Sequence, residues 1–224
     1  MSRLFEPGDR ILPGSPPMVS RYRLGTRINH WVTATAMVLL VLSGLAMFHP
    51  SLFFLSAIFG GGQNTRALHP WFGVVLVVSF LLLFLEFWRT NFWSRSDLNW
   101  SLHLGDLLKG HEEKMPEAGK YNAGQKFVFW SMALLILVLF ASGIVIWQEY
   151  FPHLAPVGSQ RLAILAHSVA AIFAILVLIL HAYSAIWVRG SFDAMIKGRV
   201  PAGWAWRHHR AWLRALVGKP GPAE

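Results

Sequence analysis

The sequence lacks cysteine altogether and is short of charged residues, and both features narrow the kind of protein it encodes. Without cysteine the chain cannot form a disulfide, hold an iron–sulfur cluster through thiolates, or attach a c-type haem through a C-x-x-C-H motif. Charged residues make up 14% of the 224 positions and hydrophobic residues 54%, whereas a soluble domain carries roughly 25% charged residues. The composition therefore indicates one compact membrane domain.

Four apolar segments are long enough to cross the hydrocarbon core of a bilayer, which takes about 20 helical residues. They run from about residue 28 to 48, 69 to 88, 127 to 147 and 162 to 188. Backbone in lipid has to satisfy its own hydrogen bonds, so each segment is predicted to be a helix. The predicted fold class is therefore an all-α membrane protein with a four-transmembrane-helix bundle.

The 20 Lys and Arg residues are distributed unevenly, and their positions predict the orientation. Only Arg66 and Arg161 lie in the connections after the first and third segments. Basic residues mark the cytoplasmic side, so both termini and the middle connection are predicted to be cytoplasmic. Orientation in the membrane accounts for the net charge of +9, so no nucleic acid partner is expected. The other basic residues are Arg3, Arg10, Arg21, Arg23, Arg27, Arg89, Arg95, Lys109, Lys114, Lys120, Lys126, Arg189, Lys197, Arg199, Arg207, Arg210, Arg214 and Lys219.

Segments outside the spans carry weaker signals. The first 20 residues have no apolar h-region, so we expect no cleavable signal peptide there. Residues 100–108, and the tail with Trp204, Trp206 and Trp212, are each predicted to be either an amphipathic helix on the inner surface or a solvated basic face. The remaining histidines are expected in outer loops (His49 and His153) or in cytoplasmic solvent (His103, His111, His208 and His209).

Four histidines lie within the apolar segments, where a titratable ring is costly without a partner. His30 is near the inner end of the first segment, and His69 begins the second at the outer face. His167 is near the outer end of the fourth segment, and His181 follows at a separation of 14 residues. That separation corresponds to about 21 Å and to one helix face within roughly 40°. Depth therefore pairs His69 with His167 on the outer side and His30 with His181 on the inner side.

These two pairs suit two non-covalent b-type haems stacked across the bilayer, each with two neutral imidazole ligands. For any one histidine alone, a hydrogen bond to a neighbouring helix or a place on a proton path is the alternative. Arg66 and Arg161 precede the outer histidines and are candidate partners for haem propionates, with ordinary loop arginines as the equal alternative.

A faint repeat accompanies the outer histidines. A Ser-Gly pair ends the first segment at residues 43–44 and the third at residues 142–143, and a histidine follows each glycine after 25 and 24 positions. Gly44 and Gly143 would let a porphyrin approach the helix backbone, and small-residue helix packing is the alternative reading.

Several short stretches are typical of one family. They are R-I-N-H-W at residues 27–31, L-H-P-W-F-G at 68–73, G-K-Y-N-A-G-Q-K at 119–126, H-A-Y at 181–183 and W-V-R-G-S at 187–191, together with His167. On these residues the chain resembles the membrane cytochrome b (gamma) subunit of quinone-linked bacterial formate dehydrogenases. The resemblance covers about residues 21–215 and leaves an N-terminal cytoplasmic extension (1–20) and a C-terminal tail (216–224). Histidine placement alone also fits hydrogenase cytochrome b subunits.

The resemblance implies two haem b groups whose iron is bound by His69 and His167 outside and by His30 and His181 inside. It implies a quinone, either menaquinone or ubiquinone, bound by Asn122 and Gly124 beside His181. Asn122 as the N-cap of the third helix is the alternative, and both roles are compatible. The implied partners are an iron–sulfur (beta) subunit and a molybdenum or tungsten catalytic (alpha) subunit, in a complex of the bacterial cytoplasmic (inner) membrane whose higher oligomeric state is open.

The function predicted is electron transfer from the partner iron–sulfur subunit, through two haems, to quinone at the cytoplasmic side. The chain would be the electron-transfer and quinone-reducing subunit of an enzyme complex, with no catalytic residue for formate. One alternative is the same role in a hydrogenase or another reductase. Another is a haem-free four-helix membrane anchor or transporter subunit.

Overall fold

The structure is a computed structural model that describes residues 4–111, 114–188 and 190–218. Arg3, Arg189 and Lys219, which contributed to the predicted orientation, lie outside the described residues, as does the predicted tail beyond residue 218. In chain order the described helices are α1 (Leu24–Phe48), α2 (Gly62–Phe87), α3 (Arg95–Leu102), α4 (Leu104–Leu108), α5 (Ala123–Ile146), α6 (Val157–Trp187), α7 (Ser191–Lys197), α8 (Ala202–His208) and α9 (Arg210–Val217). A 3₁₀ helix, Pro50–Phe59, follows α1.

Helices α1, α2, α5 and α6 are long and apolar enough to cross a membrane. They confirm the predicted fold class of a helical membrane protein with four spans. Each helix begins several residues before the first residue of the apolar segment predicted for it. In α2, for example, the helix already includes the polar residues Gln63–Arg66, and Thr65 Oγ1 donates to Gly61 O at 2.8 Å. Hydropathy locates the part of a helix that can lie in lipid, whereas helical hydrogen bonding continues beyond it.

A small antiparallel sheet joins the two ends of the chain, and the all-helical prediction did not include it. Its strands are β1 (Arg10–Leu12), β2 (Met18–Ser20) and β3 (Arg199–Pro201), in the order β1-β2-β3. The central strand pairs Val19 with Ile11 on one side and with Val200 on the other. Strands this short leave no clear alternating pattern in the sequence.

The chain divides into two compact units. The terminal unit consists of the described parts of Met1–Arg27, Leu85–Trp130 and His181–Glu224, and the helical unit consists of Ile28–Phe84 and Ser131–Leu180.

The core of the terminal unit forms where α9 packs on the small sheet. Trp212 is fully buried, and α9 also contributes Leu213 and Leu216. Residues 5, 22, 202 and 204 pack against this core from its edge. The prediction that the tail is a surface helix or a solvated face is therefore wrong for Trp212. The prediction that His209 lies in cytoplasmic solvent is also wrong, because this residue is only 2% exposed. An amphipathic helix next to a membrane can bury its apolar face in protein instead of lipid.

The helical unit has a core of small and medium side chains. Ala36, Met37, Leu76 and Ile136 are buried together, whereas most large apolar side chains of the long helices are exposed, as suits contact with lipid. Asn29 Nδ2 donates to Ser79 O at 2.9 Å and links α1 to α2.

Candidate haem-binding and quinone-binding sites

The rings of His69 and His167 lie close together inside the helical unit. His69 lies in α2 and His167 in α6, and their ring centroids are 6.3 Å apart with an interplanar angle of 64°. Imidazole nitrogens bind a transition metal ion at about 2 Å, so two rings on opposite faces of one iron have centroids about 6 Å apart. The spacing of these two rings therefore fits one iron between them.

A serine hydroxyl holds each of the two rings. Ser43 Oγ lies 2.7 Å from His69 Nδ1, and Ser142 Oγ lies 3.0 Å from His167 Nδ1. Each hydroxyl donates its single proton to a carbonyl one helical turn earlier, at 2.7 Å to Leu39 O and 2.6 Å to Val138 O. With its proton on that carbonyl the serine oxygen accepts, and this arrangement favours a proton on Nδ1 of each ring.

The serine contacts decide which nitrogen a ligand would meet. In a neutral imidazole one nitrogen carries the proton and the other carries a lone pair. With Nδ1 protonated, Nε2 of His69 and of His167 carries the lone pair that a metal requires. Metal-binding histidines usually donate their second N–H to a fixed acceptor in this manner. The donor set of the pair therefore fits haem iron in chemistry as well as in spacing.

Two glycines lie beside the rings, where a Cβ atom would be in ordinary van der Waals contact. A Cβ atom at Gly44 would lie 3.4 Å from His69 Cε1, and one at Gly143 would lie 3.5 Å from His167 Cε1. Each serine and the glycine after it thus contact the same ring, the serine by a hydrogen bond and the glycine by close packing. The repeated Ser-Gly pair was the signal in the sequence that pointed to Ser43 and Ser142, although their role as hydrogen-bond partners was not predicted.

The inner histidines belong to different units. His30 lies on α1 in the helical unit, with its ring edge-on to Trp31 at a centroid distance of 5.6 Å. His181 lies on α6 in the terminal unit. Their pairing as ligands of an inner haem stays a prediction.

Arg66 and Arg161, the candidate propionate partners, are exposed residues near the N-terminal ends of α2 and α6. Arg66 precedes His69 by about one helical turn and Arg161 precedes His167 by about two turns. Their contact with propionates also stays a prediction.

Asn122 caps α5 through a reciprocal pair of hydrogen bonds. Its Oδ1 accepts from Gln125 N at 2.9 Å, and Gln125 Oε1 accepts from Asn122 N at 3.0 Å. This is the capping-box arrangement of a helix N-terminus, and it agrees with the N-cap alternative. Because Oδ1 is engaged, the group that Asn122 can offer a ligand is its Nδ2 amide, a donor. A Cβ atom at Gly124 would lie 3.4 Å from Asn122 Oδ1 and 3.6 Å from the ring of Trp100, so Gly124 lies in van der Waals contact distance of the cap.

The chain is similar to one protein family and to several known proteins. The model of the family described as prokaryotic cytochrome b561 matches residues 21–198. The cytochrome b556(Fdn) subunit of the nitrate-inducible formate dehydrogenase of Escherichia coli K12 is 39% identical over 199 residues, which cover 89% of this chain and 92% of the relative. The cytochrome b556(fdo) subunit of formate dehydrogenase from the same strain is 38% identical over 198 residues, or 88% and 93% of the two chains. The formate dehydrogenase cytochrome b556 subunit of Haemophilus influenzae Rd is 35% identical over 199 residues, or 89% and 84%.

Proposed function

This chain belongs to the prokaryotic cytochrome b561 family, and on that premise we propose that it carries electrons from a partner iron–sulfur subunit to quinone in a formate dehydrogenase complex. Its relatives at 35–39% identity are formate dehydrogenase cytochrome b556 subunits. Its four long apolar helices and this family make it a multi-pass protein of the bacterial inner membrane. Haem b binding follows from the family, whereas two haems, quinone and the partner subunits are part of the proposal.

The observation that carries the proposal is the facing pair His69 and His167. Their Nε2 lone pairs would hold the outer haem iron, and Ser43 and Ser142 would keep both rings in the ligand-ready tautomer. When bound, a haem supplies reversible uptake and release of one electron at a time.

On the inner side, His30 and His181 are the proposed ligands of a second haem, and Asn122 with Gly124 is the proposed quinone site beside His181. The Nδ2 amide of Asn122 can donate to a quinone carbonyl without bringing a buried charge. Quinone becomes quinol by taking two electrons and two protons, and we propose that the protons come from the cytoplasm. Moving electrons inward opposes the membrane potential by about 2.3 kcal/mol per charge per 100 mV, so a low-potential donor such as formate is required.

The partners follow from the same proposal. The cysteine-free chain cannot hold iron–sulfur clusters through thiolates, so electrons must be delivered by another subunit. We propose an iron–sulfur subunit and a molybdenum or tungsten catalytic subunit, both meeting this chain at its outer face. Mass spectrometry of the proteins that copurify with the tagged chain tests this, because a hydrogenase large subunit in their place would contradict it.

Absorption spectroscopy of the purified chain tests the haem assignment. We expect reduced-minus-oxidised spectra with b-type bands, and a pyridine haemochrome assay giving two haems per chain. His167→Ala should lose the outer haem, because one imidazole is then missing from the pair, and His181→Ala should lose the inner one. His49→Gln, at an exposed loop histidine, is the matched control and should keep both.

Three results would contradict the proposal. A pigment-free chain would favour the haem-free anchor, and full haem content in the His167→Ala variant would exclude the outer pair as ligands. Full haem content in the His181→Ala variant would exclude the inner assignment alone.

A further inference from the structure

The turn before the candidate quinone residues is held by a lysine buried in the terminal unit. Lys120 lies two residues before Asn122, and its side chain is 1% exposed. Its ammonium group donates to Glu6 Oε2 at 2.6 Å, to Asp9 Oδ1 at 2.7 Å and to Arg21 O at 3.0 Å. An ammonium group has three N–H donors, so each donor has one acceptor and the side chain is fixed in one geometry.

The two carboxylates belong to a different turn, Glu6 to Asp9. This turn precedes the family match, which begins at residue 21. Asp9 N donates to Glu6 O at 3.0 Å, and Glu6 N donates to Asp9 Oδ2 at 2.9 Å. This turn sets the two acids side by side. Thr90 Oγ1 donates to Glu6 Oε1 and Trp212 Nε1 donates to Asp9 Oδ2, each at 3.0 Å. The acids are therefore fixed by neighbours as well as by Lys120.

Hydrogen bonds also hold the main chain of the turn that carries Lys120. Arg21 Nη2 donates to Lys120 O at 2.6 Å, and His209 Nδ1 donates to Gly119 O at 2.8 Å. The two acids balance the charges of Lys120 and Arg21, so the buried cluster is neutral as a whole. The chain that leaves this turn enters the cap formed by Asn122 and Gln125. Lys120 therefore lies in the held segment that leads directly into the cap at Asn122.

We propose that Glu6, Asp9 and Lys120, named here the N-terminal clamp, position Asn122 and thereby set the affinity of the quinone site. The clamp rests on the proposed function, in which Asn122 binds quinone. Its residues are positioning residues and touch no substrate. Removing one partner of a buried ion pair leaves an uncompensated charge, which draws in water or displaces the chain, whereas removing one charge of each sign avoids this penalty.

Quinone kinetics in the assembled complex test the clamp. The haems are reduced with stoichiometric dithionite, and their reoxidation by a short-chain naphthoquinone gives a half-saturating concentration and a limiting rate. We expect Lys120→Met, and the double variant Glu6→Gln with Asp9→Asn, to raise the half-saturating concentration about tenfold, because a small misplacement of a binding group is costly. The limiting rate and the haem spectrum should change little.

Rescue distinguishes positioning from general stability. The variant Lys120→Met with Glu6→Gln removes one charge of each sign and leaves Asp9 to balance Arg21, so its half-saturating concentration should return to within about threefold of the unmodified protein. A Lys120→Met, Glu6→Gln variant no better than Lys120→Met would overturn the clamp. Asp193→Asn breaks the exposed Asp193–Lys197 pair, whose side chains are 56% and 60% exposed, and should change nothing.

Asn122→Ala separates the two proposals. If it raises the half-saturating concentration while Lys120→Met does not, the clamp is overturned and the quinone site stands. If neither variant has an effect, both proposals are overturned. Should Lys120→Met fail to assemble, Asp9→Asn keeps the shape of the site and removes one counter-charge. An unchanged half-saturating concentration in that variant would overturn the clamp equally.

Discussion

At the scale of single residues, a serine hydroxyl can determine the chemistry of a histidine on another helix. Ser142 lies on α5 and its partner His167 on α6, and Ser43 relates in the same way to His69 across α1 and α2. In both cases a carbonyl of the serine's own helix lies within hydrogen-bond distance and can take the hydroxyl proton. A hydroxyl that can only accept imposes one tautomer on the ring, and an alanine at the same place would impose none.

Replacing Ser142 by alanine should loosen the outer haem without removing it. His167 Nδ1 would lose its acceptor, so the ring would be a weaker donor to iron and would populate both tautomers. We expect haem retention to fall about 10- to 100-fold, as is usual for such partners of a ligand, and the midpoint potential of the outer haem to rise. Haem titration and a spectroelectrochemical titration of the purified complex measure the two effects.

Two matched variants accompany Ser142→Ala. Ser142→Thr keeps a hydroxyl and should behave as the unmodified protein. Ser79→Ala removes another buried serine, which donates to Leu76 O at 3.1 Å on α2, and should leave the haem unchanged. An outer haem whose retention and potential are the same in Ser142→Ala would contradict a role for the serine.

The sequence predicted the outer pair at residue level because helix geometry is regular. The pairing of His69 with His167 was predicted from their similar depth in the membrane, and the structure brings their rings together. Ser43 and Ser142 were marked only by a faint repeat, because a serine near a helix end has many ordinary uses. His209 was misassigned, since a histidine among arginines gives no sign that a tryptophan-rich core will bury it.

At the scale of elements, the long helices were predictable and the small ones were not. An apolar run of more than 20 residues has few alternatives, and all four runs became helices. The strands β1 and β3 have three residues each and pair through β2 with segments far apart in the sequence. Their pairing depends on how the chain ends meet, which no local pattern records. The same holds for α9, for which the sequence allowed either a helix on the membrane surface or a solvated basic face.

The docking of α9 should depend on pH through His209. Burial, followed by the positive charge of Arg21, holds the pKa of His209 well below its ordinary 6.5. Lys120 and His208 add smaller effects in the same direction, and the hydrogen bond to Gly119 O opposes them. In the unfolded chain His209 therefore binds a proton near pH 6.5, whereas in the folded unit it stays neutral at that pH. The stability of the terminal unit should be highest above pH 6.5 and fall below it, by at most about 1.4 kcal/mol per pH unit.

Limited proteolysis of the tail in detergent, compared at pH 7.5 and 5.5, measures this dependence. Cleavage after the exposed basic residues of α9 should be faster at the lower pH in the unmodified protein. His209→Gln can still donate to Gly119 O but cannot be protonated, so its cleavage rates at the two pH values should differ less. A variant whose cleavage depends on pH as strongly as the unmodified chain would exclude His209 as the responsible group.

At the scale of the whole molecule, the uneven charge is the feature that most constrains function. Only Arg66 and Arg161 of the 20 basic residues belong to the predicted outer connections. This asymmetry predicts which face meets an electron donor and which face supplies protons, because a membrane protein keeps its basic connections in the cytoplasm. The proposed quinone site near Asn122 lies on the basic side, next to the middle connection. The orientation therefore decides whether quinone reduction takes its protons from the cytoplasm.

Because the natural chain has no cysteine, single cysteines can report the orientation directly. Gly105 on α4 and Gly158 on α6 are exposed helical glycines, and a Cβ at either would meet nothing within 4 Å. We expect a membrane-impermeant maleimide applied to intact spheroplasts to label Gly158→Cys and to spare Gly105→Cys. In inverted vesicles the pattern should reverse, and the unmodified chain should stay unlabelled in both. Labelling of Gly105→Cys in spheroplasts would place the quinone side outside the cell, and proton uptake from the cytoplasm would then be excluded.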